Sequence, residues 1–221
     1  MSLDAVIFDL DGLLIDTEHH SELAFHRAAA DHGVQDMTWL FQSLVGTTED
    51  THRSTLIEEL GDITDPVAFR NDWIAHFHQS IADEPPGLLP GVAEMLSWLE
   101  QENIKRAVAT SSRTPDGEKK LTQAGIRGFF STVICGDQVA RSKPHPDIYL
   151  KAGEAIGADM SRSLGLEDSA NGVRAAHAAG LQVIQIPDRA PPTPELLAIG
   201  HRVCNSMNEV LELVKSGQAL V

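Results

Sequence analysis

Two aspartates one residue apart, Asp9 and Asp11, follow directly on the apolar run Ala5-Val6-Ile7-Phe8. Two more pairs close later apolar runs, Thr110-Ser111 and Glu167-Asp168, and Lys143 stands in the loop Arg141-Ser142-Lys143-Pro144. The set consists of carboxylates, hydroxyls and one ammonium, drawn from four places in the chain. Phosphoryl transfer uses such a set. Two or three carboxylates can hold Mg²⁺, which takes oxygen ligands. A carboxylate attacking a phosphate dianion meets like-charge repulsion, which the metal, Lys143 and the donors near Thr110 would offset. A covalent aspartyl-phosphate divides the reaction in two. A second carboxylate two residues on can protonate the leaving oxygen and then deprotonate water.

Such groups must be brought together by the fold. Ala5 to Phe8 is a short continuous apolar run, as in a strand buried on both faces of a parallel sheet. From Thr17 to about Asp83 the texture is helical, with Trp73, Ile74, Phe77 and Ile81 at helical spacing. Pro85-Pro86-Gly87 and Pro90-Gly91 then break the chain. Beyond them helices alternate with strands. Val92, Met95, Leu96 and Leu99 mark one helical face, and strands are expected at 104–110, 132–135, 163–166 and 182–186. Thr114-Pro115 reads as an N-cap with Pro at the first helical position, and Gly125, Gly157 and Gly180 as helix stops. The expected fold class is α/β: a doubly wound, Rossmann-like parallel sheet with an inserted all-helical domain. The expected division is a core of residues 1–15 and 88–221 and a cap of residues 16–87. Ligands of open α/β sheets bind beyond the carboxyl ends of the strands, where the candidate groups fall.

Composition bounds the partners. Of 221 residues 42% are apolar and 22% charged, as in a globular chain with a sizeable core. Lys plus Arg number 17 against 32 Asp plus Glu, a net charge of −15. That balance argues against nucleic acid and anionic membranes as partners. Cys135 and Cys204 give no disulfide framework. No export signal and no apolar stretch of membrane-spanning length is visible, so a cytoplasmic protein, monomer or weak dimer, is expected. Gly12 falls too early for an EF-hand loop, whose twelfth position would be His20. An Asp-x-Asp nucleotide-sugar site would leave Lys143 and Asp168 without a role. Neither a Walker A loop nor a G-x-G-x-x-G is present. His19 and His20 start a helix without a third ligand and read as surface or cap-interface residues. Trp73 and Phe77 read as cap core.

Four segments resemble, in order, the motifs of the haloacid dehalogenase superfamily: Asp9-Leu10-Asp11-Gly12 through Glu18, Val108 to Ser112, Lys143-Pro144-His145-Pro146-Asp147, and Gly165 to Gly172. The fourth is similar to that of β-phosphoglucomutase-like and sugar-phosphate phosphatase members. The resemblance implies Asp9 as nucleophile and metal ligand. It implies Asp11 as general acid/base with its backbone carbonyl on the metal. Thr110 and the Ser111 backbone would hold the transferring phosphate, Lys143 would pair with Asp9 and that phosphate, and Asp168 would ligate Mg²⁺, with Glu167 also part of the metal site, either on the ion or directly behind its ligands. Asp11 separates the chain from the superfamily's dehalogenases, which lack that acid. The helical insert resembles a mobile cap hinged near Asp16-Thr17 and Pro85-Pro86-Gly87. Only 32 residues separate Thr110 from Lys143, too few for a second large cap.

A phosphatase acting on a small phosphorylated metabolite, with a sugar phosphate foremost, is therefore expected. The alternatives are a phosphosugar mutase of the β-phosphoglucomutase kind and a non-catalytic phosphometabolite-binding or regulatory protein. Within Val45-Gly46-Thr47-Thr48-Glu49-Asp50, Glu49 stands where the mutases use an Arg for the second phosphate, and Ser21 replaces a mutase histidine.

Overall fold

The computed structural model describes residues 2–34, 36–44, 49–188 and 191–220, so Val45 to Thr48 and the side chains of Glu49 and Asp50 lie outside the described residues. The chain divides into two compact units, Met1–Ile15 with Gly87–Val221, and Asp16–Pro86. In chain order, β1 (Ala5–Phe8) is followed by α1 (Glu18–Asp31), α2 (Thr38–Leu44), α3 (Glu49–Leu60) and α4 (Pro66–Asp83). Then come α5 (Val92–Gln101), β2 (Lys105–Thr110), α6 (Thr114–Gln123), β3 (Thr132–Cys135), α7 (Asp147–Ile156) and β4 (Ser163–Glu167). The chain closes with α8 (Ala170–Ala178), β5 (Gln182–Gln185), α9 (Pro194–Leu197), β6 (Arg202–Val203) and α10 (Met207–Lys215).

In the first unit the six strands form one parallel sheet in the order β3-β2-β1-β4-β5-β6. Alternation along the strands feeds two cores. Val6, Phe8, Val108, Leu164, Leu166 and Ile184 face one side, where Met95, Leu96 and Leu99 of α5 and Val210 and Leu211 of α10 cover them. Ile7, Ala107, Ala109 and Val183 face the other, under Ile148, Tyr149 and Ala152 of α7 and Val173 and Ala176 of α8. Both faces of a parallel sheet need such cover, which is why its strands read as continuous apolar runs. The strand order reverses at β1, between β2 and β4, so the crevice that doubly wound sheets offer to ligands opens at the C-terminal end of β1. Phe8 is level with Val108 on one side and Leu166 on the other, which sets the residues after them side by side.

The second unit is all helical among its described residues. Phe25 of α1 packs edge-on against Phe69 and Trp73 of α4, with ring centroids at 5.3 and 5.1 Å. Leu40, Phe41, Leu56 and Leu60 complete that core. Asp65 caps α4 by accepting from the N–H groups of Val67 and Ala68 at 2.9 and 3.3 Å, with Pro66 at the first position. His32 Nε2 to Asp72 and His76 Nε2 to Asp31, at 2.8 and 2.7 Å, tie α1 to α4. His20 is buried, with Nδ1 at 2.8 Å from Ser80 Oγ.

Two local readings change. Thr114 is the first residue of α6 rather than its cap: the preceding Arg113 makes no side-chain cap, and the Thr114 hydroxyl donates to Asp137 Oδ1 at 2.7 Å. The two-residue β6 was not expected, because Arg202-Val203 carries no apolar run to announce it. Cys135 and Cys204 are free and buried. Among the described residues no helix is long and apolar enough to cross a membrane.

Candidate active site

The end of β1 supplies Asp9, whose N–H donates to Leu166 O of β4 at 3.0 Å. That bond holds Asp9 beside Glu167, the last residue of β4. Asp168 follows Glu167, and Ser169 then caps α8 by accepting from Gly172 N–H at 3.2 Å. Asp9, Glu167 and Asp168 each offer a carboxylate oxygen, and these oxygens lie within 4.8 Å of one another.

Lys143 enters this cluster from the loop before α7. Its Nζ donates to Asp9 Oδ1 and, at 2.6 Å, to Glu167 Oε1, and it lies 5.2 Å from the centre of the Tyr149 ring. The loop is anchored by Arg141, which makes a two-pronged contact with Asp147 at 2.8 and 3.2 Å. Glu167 is wholly buried and accepts further bonds from Tyr149 Oη and, at 3.3 Å, Ser169 Oγ. Two glycines leave room for these carboxylates. A Cβ at Gly172 would stand 1.9 Å from Glu167 Oε2. Gly12 adopts φ +79° in the turn after β1, and a Cβ there would lie 2.7 Å from Asp168 Oδ2. The Asp168 carbonyl accepts from the buried Gln185 Nε2 at 2.9 Å.

Charge explains the titration of the cluster. Burial pushes the Asp9 and Asp168 carboxyls above the ordinary carboxylate range, and neighbouring carboxylates push the same way while Lys143 opposes. Burial alone would lower Lys143, but Asp9 and Glu167 outweigh it and hold the ammonium above its usual value. Burial, with Glu167 and Asp9 adding to it, raises the Tyr149 phenol well above its usual value, so it stays a donor. One ammonium among three carboxylates leaves negative charge unbalanced. The oxygen donor set and that deficit fit a hard divalent cation such as Mg²⁺.

Asp11 is not one of the three clustered carboxylates. Its Oδ1 accepts from Lys120 Nζ of α6 at 2.6 Å, and its Oδ2 from Ser112 Oγ at 2.8 Å and Thr110 Oγ1 at 3.3 Å. Lys120 Nζ also donates to Ser112 Oγ at 3.0 Å. The Thr110 hydroxyl, expected at phosphate, is buried and accepts from Ser112 N–H at 3.0 Å. Ser111 is exposed, with its hydroxyl 3.4 Å from Ser142 Oγ.

Sequence reasoning placed Asp9, Asp11, Thr110, Ser111, Lys143, Glu167 and Asp168 as candidates, and missed Ser112, Lys120, Tyr149 and Gln185. A signal for Lys120 existed: it shares the buried face of α6 with Gly117 and Leu121, at helical spacing. A charged residue on such a face needs a partner.

A family model for haloacid dehalogenase-like hydrolases matches residues 6–186. The chain belongs to that family. Within the haloacid dehalogenase-like hydrolases it is 32% identical over 182 residues to the phosphorylated carbohydrates phosphatase of Thermotoga maritima, covering 82% of this chain and 84% of that one. A solved Thermotoga maritima structure provisionally named a β-phosphoglucomutase is 29% identical, with a TM-score of 0.81 over 97% of this chain and 99% of that one. An Asp-to-Asn variant of CbbY from Rhodobacter sphaeroides, solved with xylulose-1,5-bisphosphate, is 29% identical, with a TM-score of 0.74 over 94% and 96%. The α/β architecture with a parallel six-stranded sheet is shared with these haloacid dehalogenase-like neighbours.

Proposed function

We propose that the protein is a Mg²⁺-dependent phosphatase of a small phosphorylated metabolite, most simply a sugar phosphate, acting through an aspartyl-phosphate on Asp9. The observation that carries the reading is the seating of Lys143 between Asp9 and Glu167, in a cluster whose carboxylate oxygens lie within 4.8 Å of one another. The phosphatase named among its relatives adds support.

Asp9, Asp168 and the Asp11 backbone carbonyl would hold Mg²⁺, with Glu167 shaping the site from behind. When bound, the ion supplies charge neutralisation at the phosphoryl oxygens. An Asp9 carboxylate oxygen bonds to phosphorus and the ester P–O bond breaks. The ester oxygen takes a proton from Asp11 and leaves as an alcohol. Water then attacks the phosphorus of the aspartyl-phosphate, giving its proton to Asp11. The P–O bond to Asp9 breaks and inorganic phosphate leaves. Lys143 holds Asp9 in place and faces the incoming dianion. The Ser111 backbone and the loop after β2 would receive the phosphoryl oxygens. The acidic net charge and the free, buried thiols fit a cytoplasmic enzyme, and a monomer or weak dimer suffices for this site.

Phosphate release from a panel of sugar phosphates and from p-nitrophenyl phosphate, with Mg²⁺ and with chelator, tests the reading. Metal-dependent release from at least one ester is expected. Inert protein under all conditions would favour the binding-protein alternative. The solved neighbour named a β-phosphoglucomutase keeps a second reading alive. Conversion of β-glucose 1-phosphate to the 6-phosphate without release of phosphate would establish it.

A further inference from the structure

We propose that Lys120 is a positioning residue for Asp11, holding its carboxylate, together with Ser112, where it serves the leaving oxygen. The inference rests on the phosphatase reading above.

Three bonds close a ring: Lys120 Nζ to Asp11 Oδ1 at 2.6 Å, Lys120 Nζ to Ser112 Oγ at 3.0 Å, and Ser112 Oγ to Asp11 Oδ2 at 2.8 Å. With Thr110 Oγ1 added at 3.3 Å, both carboxylate oxygens are engaged and the plane of the group is set. Two separate donors on two oxygens fix orientation as well as position, which a single contact would not.

The cost of the arrangement argues for a use. The Lys120 side chain is 8% exposed, so its ammonium has been taken out of water, whereas Asp11 remains 28% exposed. Replacing a buried ion pair by apolar side chains is often neutral or stabilising. Folding alone would therefore be served as well by a Leu or Met on the Gly117–Leu121 face of α6. The helix is also set close to the strand ends. A Cβ at Gly117 would stand 3.1 Å from Cys135 Sγ and 3.4 Å from Thr110 Cγ2. That approach lets a lysine one turn later reach across to the loop after β1.

The chemistry gives the pair its purpose. An aspartate two residues from the nucleophile must meet the ester oxygen and not compete with Asp9 for phosphorus or for the cation. Lys120 and Ser112 hold it toward α6, outside the Asp9–Glu167–Asp168 cluster. When the ester bond breaks and the oxygen takes the proton, negative charge develops on Asp11 directly against the Lys120 ammonium. A preorganised cation at the place where charge develops lowers the barrier most when the leaving group demands the proton most. Lys120 should therefore matter more for a poor leaving group than for a good one.

Phenyl phosphate and p-nitrophenyl phosphate share a shape and differ in leaving-group basicity, so their kcat/KM ratio isolates proton delivery. For Lys120→Met the phenyl over p-nitrophenyl ratio is expected to fall about 10-fold below wild type, a part of the roughly 10²–10⁴-fold that general-acid catalysis contributes. Lys120→Arg should restore most of it. Ser112→Ala, which keeps the lysine, should shift the ratio in the same direction by a smaller factor, and carries the test if Lys120→Met fails to fold. An unchanged ratio in folded Lys120→Met, or equal losses with both esters, overturns the inference while leaving the phosphatase reading intact. Wild-type protein that releases phosphate from neither ester overturns both.

Discussion

Two lysine–aspartate pairs stand two residues apart at the end of β1, and they are built for different work. In the Lys143–Asp9 pair the side chains are 5% and 9% exposed, and the lysine is shared with the fully buried Glu167. In the Lys120–Asp11 pair the acid is 28% exposed and is wrapped by hydroxyls rather than by other carboxylates. Asp9 thus sits in a surplus of negative charge that a divalent cation can balance, and Asp11 sits in a local balance that leaves its carboxylate to handle protons. On the function proposed above, the same two residue types, in one loop, would serve as nucleophile and proton carrier through what surrounds them.

Replacing each acid should separate the roles most sharply. Asp9→Asn is expected to lower kcat by at least about 10⁴-fold with any ester, since no other group takes over the bond to phosphorus. Asp11→Asn should cost roughly 10²–10³-fold with a sugar phosphate and distinctly less with p-nitrophenyl phosphate. Equal losses for the two variants across both esters, measured by phosphate release, would erase the distinction.

The lysine shared by two carboxylates comes next. Lys143→Met should reduce kcat by at least about 100-fold, and unfolding in urea should show a loss of about 3 kcal/mol, as for a buried pair stripped of one partner. A stable variant with near wild-type turnover would place Lys143 outside the mechanism.

Proton linkage gives a third, smaller effect. Asp9 is raised from 3.8 to about 7 in the folded protein, and Asp168 is raised with it. The folded state therefore keeps protons that the unfolded chain has released. Metal-free protein should lose stability as pH rises from 3.8 to about 7, the opposite of a salt-bridged surface carboxylate. Saturating Mg²⁺, which binds the deprotonated acids, should offset that loss and stabilise the protein increasingly with pH. Thermal melts with chelator and with Mg²⁺ decide it, and a midpoint indifferent to Mg²⁺ at every pH would contradict the site. Asp168→Asn should abolish the Mg²⁺ effect.

The smallest effect concerns the wall behind the cluster. Tyr149→Phe deletes the hydroxyl that donates to Glu167. A loss of about 1.5 kcal/mol is expected in urea unfolding, as for a hydrogen bond to a charged group. No measurable loss would mean that Glu167 needs no such support.

The contrast between the pairs also marks what the sequence could reveal. Asp9, Thr110 and Glu167 end apolar runs, and parallel strands that neighbour one another must bring their ends together, so alternation of strand and helix was enough to place them. Lys120 and Tyr149 sit inside helices. Their approach to the site depends on which way α6 and α7 are rotated on the sheet and how closely they pack. Gly117 and the buried face it begins carry that information only in combination. The sheet was legible except at β6, where Arg202-Val203 is held by pairing to β5 rather than by its own composition. Glu49, which bears on the mutase alternative, belongs to the segment whose side chains lie outside the described residues.

The account turns on a covalent bond between phosphorus and Asp9. Acid-quenched mass spectrometry of the enzyme after brief mixing with substrate and Mg²⁺ should find one phosphoryl group on the peptide containing Asp9, absent in Asp9→Asn and absent with chelator. Active enzyme that carries the phosphoryl group on a different residue, or turns over with no covalent adduct at any mixing time, would contradict it.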